Sequence, residues 1–145
     1  MPVVLSKVQD VLENYKAAIY EKDVERLVSS FSPNIHIYDC WEDWECNGIS
    51  QWKKIVKEWF NGLNEEGVLL KTDFDELVVE ENSDLAFVHC AVTFAAHSNS
   101  GEKLRQMTNR FTFGLRNEND SWTITHSHSS LPISIETGKG IFNLK

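Results

Sequence analysis

The chain has 145 residues, 41% hydrophobic and 25% charged, which suits a single globular domain spanning residues 1–145. Fourteen Lys+Arg stand against 22 Asp+Glu, a net charge of −8. That balance, with no basic run, excludes a protein that wraps nucleic acid, and no apolar run is long enough to cross a bilayer.

Cys40, Cys46 and Cys90 are odd in number and lack metal-ligand spacing. They read as free thiols in a reducing cytoplasm. The opening Met-Pro-Val-Val-Leu-Ser-Lys has no charged n-region, and its apolar run is too short for a signal peptide, so a cytoplasmic protein is expected.

Leu5, Val8, Leu12, Tyr15 and Ile19 recur at three- and four-residue steps, predicting an amphipathic helix. Asp23 caps a second, short helix carrying Val24, Leu27, Val28 and Phe31. Ser32-Pro33-Asn34 stops it, and a brief strand from Ile35 ends at Asp39. A loop with Trp41 and Trp44 follows. Ser50 is expected to cap a third helix, with Trp52, Ile55, Val56, Trp59, Phe60 and Leu63 on its face and Gly62 and Gly67 bracketing its end. Strands are predicted at about Val68–Glu80, Asp84–His97, Leu104–Arg116 and Trp122–Ser130, separated by turn chemistry. Helices first and strands second argue an α+β fold, with helices on one face of an antiparallel sheet.

Strict alternation in the last strand puts Trp122, Ile124, His126 and His128 on one face. If Arg116 pairs with Trp122, Arg110 faces His128 and Thr112 faces His126. Pairing Ala91 with Arg110 brings His89, and beyond it Phe87, to the same surface. This face is read as the wall of a pocket. The opposite face, with Val88, Val92, Phe94, Phe111 and Phe113, then needs another cover, and a partner subunit would supply it.

The helices, the strand ending in Asp and the curved sheet resemble the nuclear transport factor 2-like fold, a cone of three N-terminal helices packed on a curved antiparallel sheet. Leu27-Val-Ser-Ser-Phe31 leading to Ile35-His-Ile-Tyr-Asp39, then Gly48 opening a helix, resembles its SnoaL-like branch. So do Arg110-Phe-Thr-Phe-Gly-Leu-Arg116 and the tail from His126 to Pro132, followed by Glu136-Thr-Gly-Lys139. These are features of bacterial proteins described as ketosteroid-isomerase homologues. By the same resemblance, Tyr15 falls where steroid isomerases hold their oxyanion-hole tyrosine, and Asp39 where they hold their general base. Their second, protonated aspartic acid has no counterpart: the matching strand offers Asn109, Arg110 and Thr112.

Each candidate reads two ways. Asp39 is a general base, or a strand-end residue ordering the Trp41–Trp44 loop. Arg110 grips a ligand anion or an enolate-like oxygen, or forms a buried ion pair with Asp39. His126 and His128 are acid–base or anchoring groups, or structural histidines. Tyr15 is an oxyanion donor or a core residue. Trp41 and Trp44 gate the pocket, or serve as a lid or interface contact. His89, Thr112, Trp122 and Phe87 complete the ligand wall. The neighbouring Arg110 opposes a metal among the histidines, and no cofactor is expected.

Two functions follow. One is a cofactor-independent isomerase- or cyclase-type acid–base enzyme acting on a small hydrophobic carbonyl compound. The other is a non-catalytic module that binds an anionic or aromatic metabolite. A weaker third is an assembly domain like that of calmodulin-dependent kinase II. The expected partners are a small-molecule ligand and a second copy of the chain, joined as a homodimer through the sheet face.

Overall fold

The structure is a computed structural model and describes residues 4–142 and 144. Helix α1 (Val8–Glu21) buries Val8, Val11, Leu12, Tyr15, Ala18 and Ile19 on the stripe that the spacing predicts, and ends at the left-handed Lys22. In α2 (Val24–Val28), Asp23 caps the start by accepting from the Arg26 N–H at 3.1 Å. Strand β1 (Phe31–Tyr38) leads through the loop to the short β2 (Cys46–Asn47) and then α3 (Ile49–Glu66). Gly48, not Ser50, is the N-cap of α3, and Gly62 lies within the helix, which ends at Gly67. Gly48 takes φ 87°, a conformation open to glycine and strained for other residues, so the chain can turn sharply into the helix there.

Strands β3 (Leu69–Glu81), β4 (Leu85–His97), β5 (Lys103–Glu118) and β6 (Ser121–Ser130) complete a six-stranded sheet ordered β2-β1-β6-β5-β4-β3. All neighbours are antiparallel except β1 and β6, which run parallel. The helices pack on one face. Tyr15 sets its ring edge on Phe113 at 5.8 Å, and Trp59 does the same on Phe94 at 6.1 Å. Val88, Val92 and Phe113 are thereby fully buried in the chain's own core.

This corrects the sidedness expected from the sequence. The apolar face of β4 and β5 needs no partner subunit, because α1 and α3 cover it. Alternation then puts Phe87, His89, Arg110 and Thr112 on the outer face, where all four are exposed. Ala91 does pair with Arg110, as expected. The β5–β6 register differs: Thr112 faces His128, and Arg110 faces Ser130.

A β-bulge in β6 accounts for the rest. Gly114 pairs with His126, but the next residue, Leu115, pairs with Ile124, which leaves Thr125 as the extra residue. That residue reverses the alternation. Trp122 (4% exposed) and Ile124 (0%) point into the core, while His126 and His128 point out. The four residues therefore do not share a face.

Candidate functional site

A cavity of about 560 Å³ lies between the helices and the concave sheet face. Its roof is Tyr15 of α1 with Trp52, Ile55, Trp59 and Leu63 of α3. Its floor is Phe94 of β4, Met107, Asn109 and Phe111 of β5, and Ser127 and Ser129 of β6. Asp39 and Trp41 stand where β1 runs out. The walls are mostly aromatic and aliphatic, with a few polar groups among them, as in sites for small organic molecules.

Asp39 is firmly placed. Its Oδ1 accepts from the Ser129 hydroxyl at 2.8 Å and from the Cys40 N–H at 2.8 Å. The same N–H also reaches Ser129 Oγ at 3.1 Å. Both donors converge on one carboxylate oxygen and leave Oδ2 for other partners. Tyr15 is buried, and its phenol is pushed well above the usual tyrosine range. Burial is the main cause, followed by the negative charge of Asp39 and then by Cys90. Its hydroxyl therefore stays protonated and able to donate at neutral pH.

Asn109 lies on the floor, 3% exposed. Its amide N–H donates to Cys40 Sγ at 3.3 Å, while its Oδ1 is buried without a partner among the described residues. Trp52 Nε1, in the roof, is likewise buried and unpaired. Burial and the Asp39 charge raise the Cys40 thiol pKa, keeping it protonated. At the rim, Arg105 pairs with Glu66 of α3 at 2.8 Å.

Of the candidates named from sequence, the cavity brings together Tyr15, Asp39 and Trp41, whose indole stacks on Phe142 at 5.6 Å. Trp44 is 87% exposed and does not line it, and Trp122 is a core residue. His89, Arg110 and Thr112 instead line a separate groove of about 620 Å³ on the outer face, with Glu76, Leu131 and Pro132. Arg110 makes no ion pair with Asp39, since the sheet itself separates them; the four-group surface of His89, Arg110, His126 and His128 does not face the helices.

His126 and His128 join an outer aromatic shelf. His126 stacks on His36 at 5.2 Å, Tyr38 meets both β6 histidines edge-on, and His126 Nδ1–H donates to the His36 carbonyl at 2.8 Å. His36 Nε2 pairs with Glu45 at 2.8 Å, and this bond holds the Glu45 carboxyl below its ordinary range. Among the described residues no group of three or more His, Cys, Asp or Glu side chains could hold a metal ion, and no helix is long and apolar enough to cross a membrane.

Asn109, Ser127, Ser129, Trp52 and Trp59 are site residues that sequence reasoning alone does not single out. Asn109 carries a legible signal: it shares the period-two face of Phe111 and Phe113, a polar residue in an otherwise apolar row. The serines have none, because their inward aim depends on the bulge.

Solved structures share this architecture. A nuclear transport factor 2-like protein of unknown function from Pseudomonas putida KT2440 is 21% identical, with a TM-score of 0.81, over 97% of this chain and 94% of that one. The protein Aln2 from a Streptomyces species is 13% identical, with a TM-score of 0.74, over 85% and 86% of the two chains. An uncharacterized protein with a cystatin-like fold from Caulobacter vibrioides is 14% identical, with a TM-score of 0.69, over 89% of each. At these identities the likeness establishes the fold. No curated protein matches the chain. The SnoaL-like domain matches residues 8–134, nearly the whole sequence, and the chain belongs to the SnoaL-like family.

Proposed function

We propose that the helix-side cavity binds a small hydrophobic carbonyl compound and moves a proton on it without a cofactor. The observation that carries this reading is the meeting of Asp39 and Tyr15 on one apolar cavity. Oδ1 of Asp39 is occupied by Ser129 and the Cys40 N–H, so Oδ2 is the oxygen that takes a proton from the carbon next to a carbonyl. The protonated Tyr15 hydroxyl donates to the enolate oxygen that forms. Trp52, Trp59 and Phe94 hold the hydrocarbon body and exclude water.

The test is exchange of the α-protons of 2-tetralone in D2O, followed by NMR with and without the protein. Faster exchange is expected, abolished in Asp39→Asn and slowed about a hundred- to a thousand-fold in Tyr15→Phe, the cost of losing one oriented donor. Saturable binding without exchange would assign the cavity to the non-catalytic binding module instead. Absence of both binding and exchange would remove the proposal.

A further inference from the structure

Among the described residues, two buried polar atoms of opposite character in the cavity lining lack partners: the acceptor Asn109 Oδ1 in the floor and the donor Trp52 Nε1 in the roof. Buried acceptors and donors are nearly always satisfied, so an orphan pair in one cavity describes what the cavity is built to receive. Asn109 is not free to turn away. It is 3% exposed on a central strand, and its N–H is committed to Cys40 Sγ at 3.3 Å. A carbonyl compound lacking any N–H or O–H would leave Oδ1 unpaired.

We propose that the ligand carries a hydroxyl group as well as an acceptor, and that Asn109 is the specificity residue that selects it. The ligand class is a hydroxylated carbonyl compound: an alcohol, enol or phenol whose O–H donates to Asn109 Oδ1. Its acceptor oxygen lies within reach of Trp52 Nε1 or the Tyr15 hydroxyl. This deepens the proposed function and rests on it, since it assumes that the cavity is the binding site.

The test compares 2-naphthol with 2-methylnaphthalene by NMR titration of the full chain. The two probes match closely in shape and differ in the hydroxyl. An apolar cavity with no acceptor in need of a donor favours the methyl compound. We expect 2-naphthol to bind about tenfold more tightly, the effect of one hydrogen bond to an otherwise unsatisfied buried group. The preference should vanish in Asn109→Leu and persist in Arg110→Gln on the outer face. A crystal structure of the wild-type 2-naphthol complex reads the same contact should Asn109→Leu fail to fold; the naphthol oxygen should lie within hydrogen-bond reach of Asn109 Oδ1.

If both probes bind equally, a water or nothing at all satisfies Asn109, and the inference falls while the cavity reading stands. If the preference survives Asn109→Leu, another acceptor such as Asp39 makes the selection, and the inference also falls. If neither probe binds, the proposed function fails first and takes this inference with it.

Discussion

Removing Thr125 tests the feature on which the whole site depends. Thr125 is the extra residue of the β6 bulge, with Gly114 paired to His126 on one side and Leu115 to Ile124 on the other. Deleting it joins Ile124 directly to His126. Ordinary alternation then keeps His126 outward and Ile124 and Trp122 inward, so every buried side chain of the strand stays buried. The loss is confined to the Thr125 hydroxyl bond to the Gly114 carbonyl at 3.2 Å and the local bend, about 1 kcal/mol for the bond. If β6 were instead a regular strand with Trp122 through His128 on one face, the same deletion would turn Trp122 and Ile124 to water. Both are almost wholly buried, and exposing them costs about 4–6 kcal/mol together, much of a domain's total stability. Urea unfolding separates the two outcomes, and an amide NMR spectrum shows whether the fold persists. A deletion variant that is unfolded, or weaker by more than about 4 kcal/mol, would refute the bulge as the cause of the reversal.

The other predictions are independent of one another. Phe113→Ala should cost about 3–5 kcal/mol, because the ring is fully buried against Tyr15 and Phe111. Arg110→Ala, on the exposed outer face, should change stability by less than about 0.5 kcal/mol, and the reverse order in urea melts would invert the assigned faces. Burial pushes the Cys90 thiol from 9.0 up to about 11, so the folded chain keeps a proton that the unfolded chain releases. The resulting stability is complete below pH 9 and lost as pH climbs through about 11; thermal melts of Cys90→Ala should show a shallower alkaline decline, and an unchanged slope would reject the assignment. With the expected dimer face covered by the chain's own helices, we propose instead that a homodimer forms through the outer face, where Leu85 is 50% and Phe87 46% exposed; Phe87→Lys should then give a monomer in light scattering, and a monomeric wild type at micromolar concentration would sink the proposal.

Much of the fold was legible because it is written in local periodicity. The α1 stripe from Val8 to Ile19 and the long alternating strands follow from single-segment patterns, and the Ala91–Arg110 register follows from a short turn. Tyr15 and Asp39 were legible through family resemblance, and they do meet on one cavity. The sidedness of the site was not legible. It depends on a single unpaired residue, Thr125, that no composition or alternation rule marks, and a one-residue shift exchanges the two faces of a strand. Taking His126 as continuous with Ile124 moved Arg110, His89 and Thr112 to the wrong side of the sheet. The more reliable cue was the row of Phe111, Phe113 and Leu115, since the helices must cover the apolar face.

The bulge also explains how one cavity is apolar in depth and polar toward its mouth. Along the inward face of β5 the residues run Phe113, Phe111, Asn109, Met107 and Arg105, from closed core to open rim. Beside them, β6 runs from Ile124 to Ser127 and Ser129, and the bulge between Ile124 and His126 brings these serines to the inner side. Without Thr125's displacement, a strand that starts with Trp122 and Ile124 inward would present His126 and His128 there instead. Two small hydroxyls keep the cavity open where two imidazoles would fill it. Ser129 then has room to fix the Asp39 carboxylate at 2.8 Å. A molecule entering with its hydrocarbon body toward the aromatic walls meets polar groups at Asp39, Asn109, Tyr15 and the indole N–H of Trp52. The site's orientation thus derives from the phase of two neighbouring strands, and the bulge that absorbs Thr125 sets that phase.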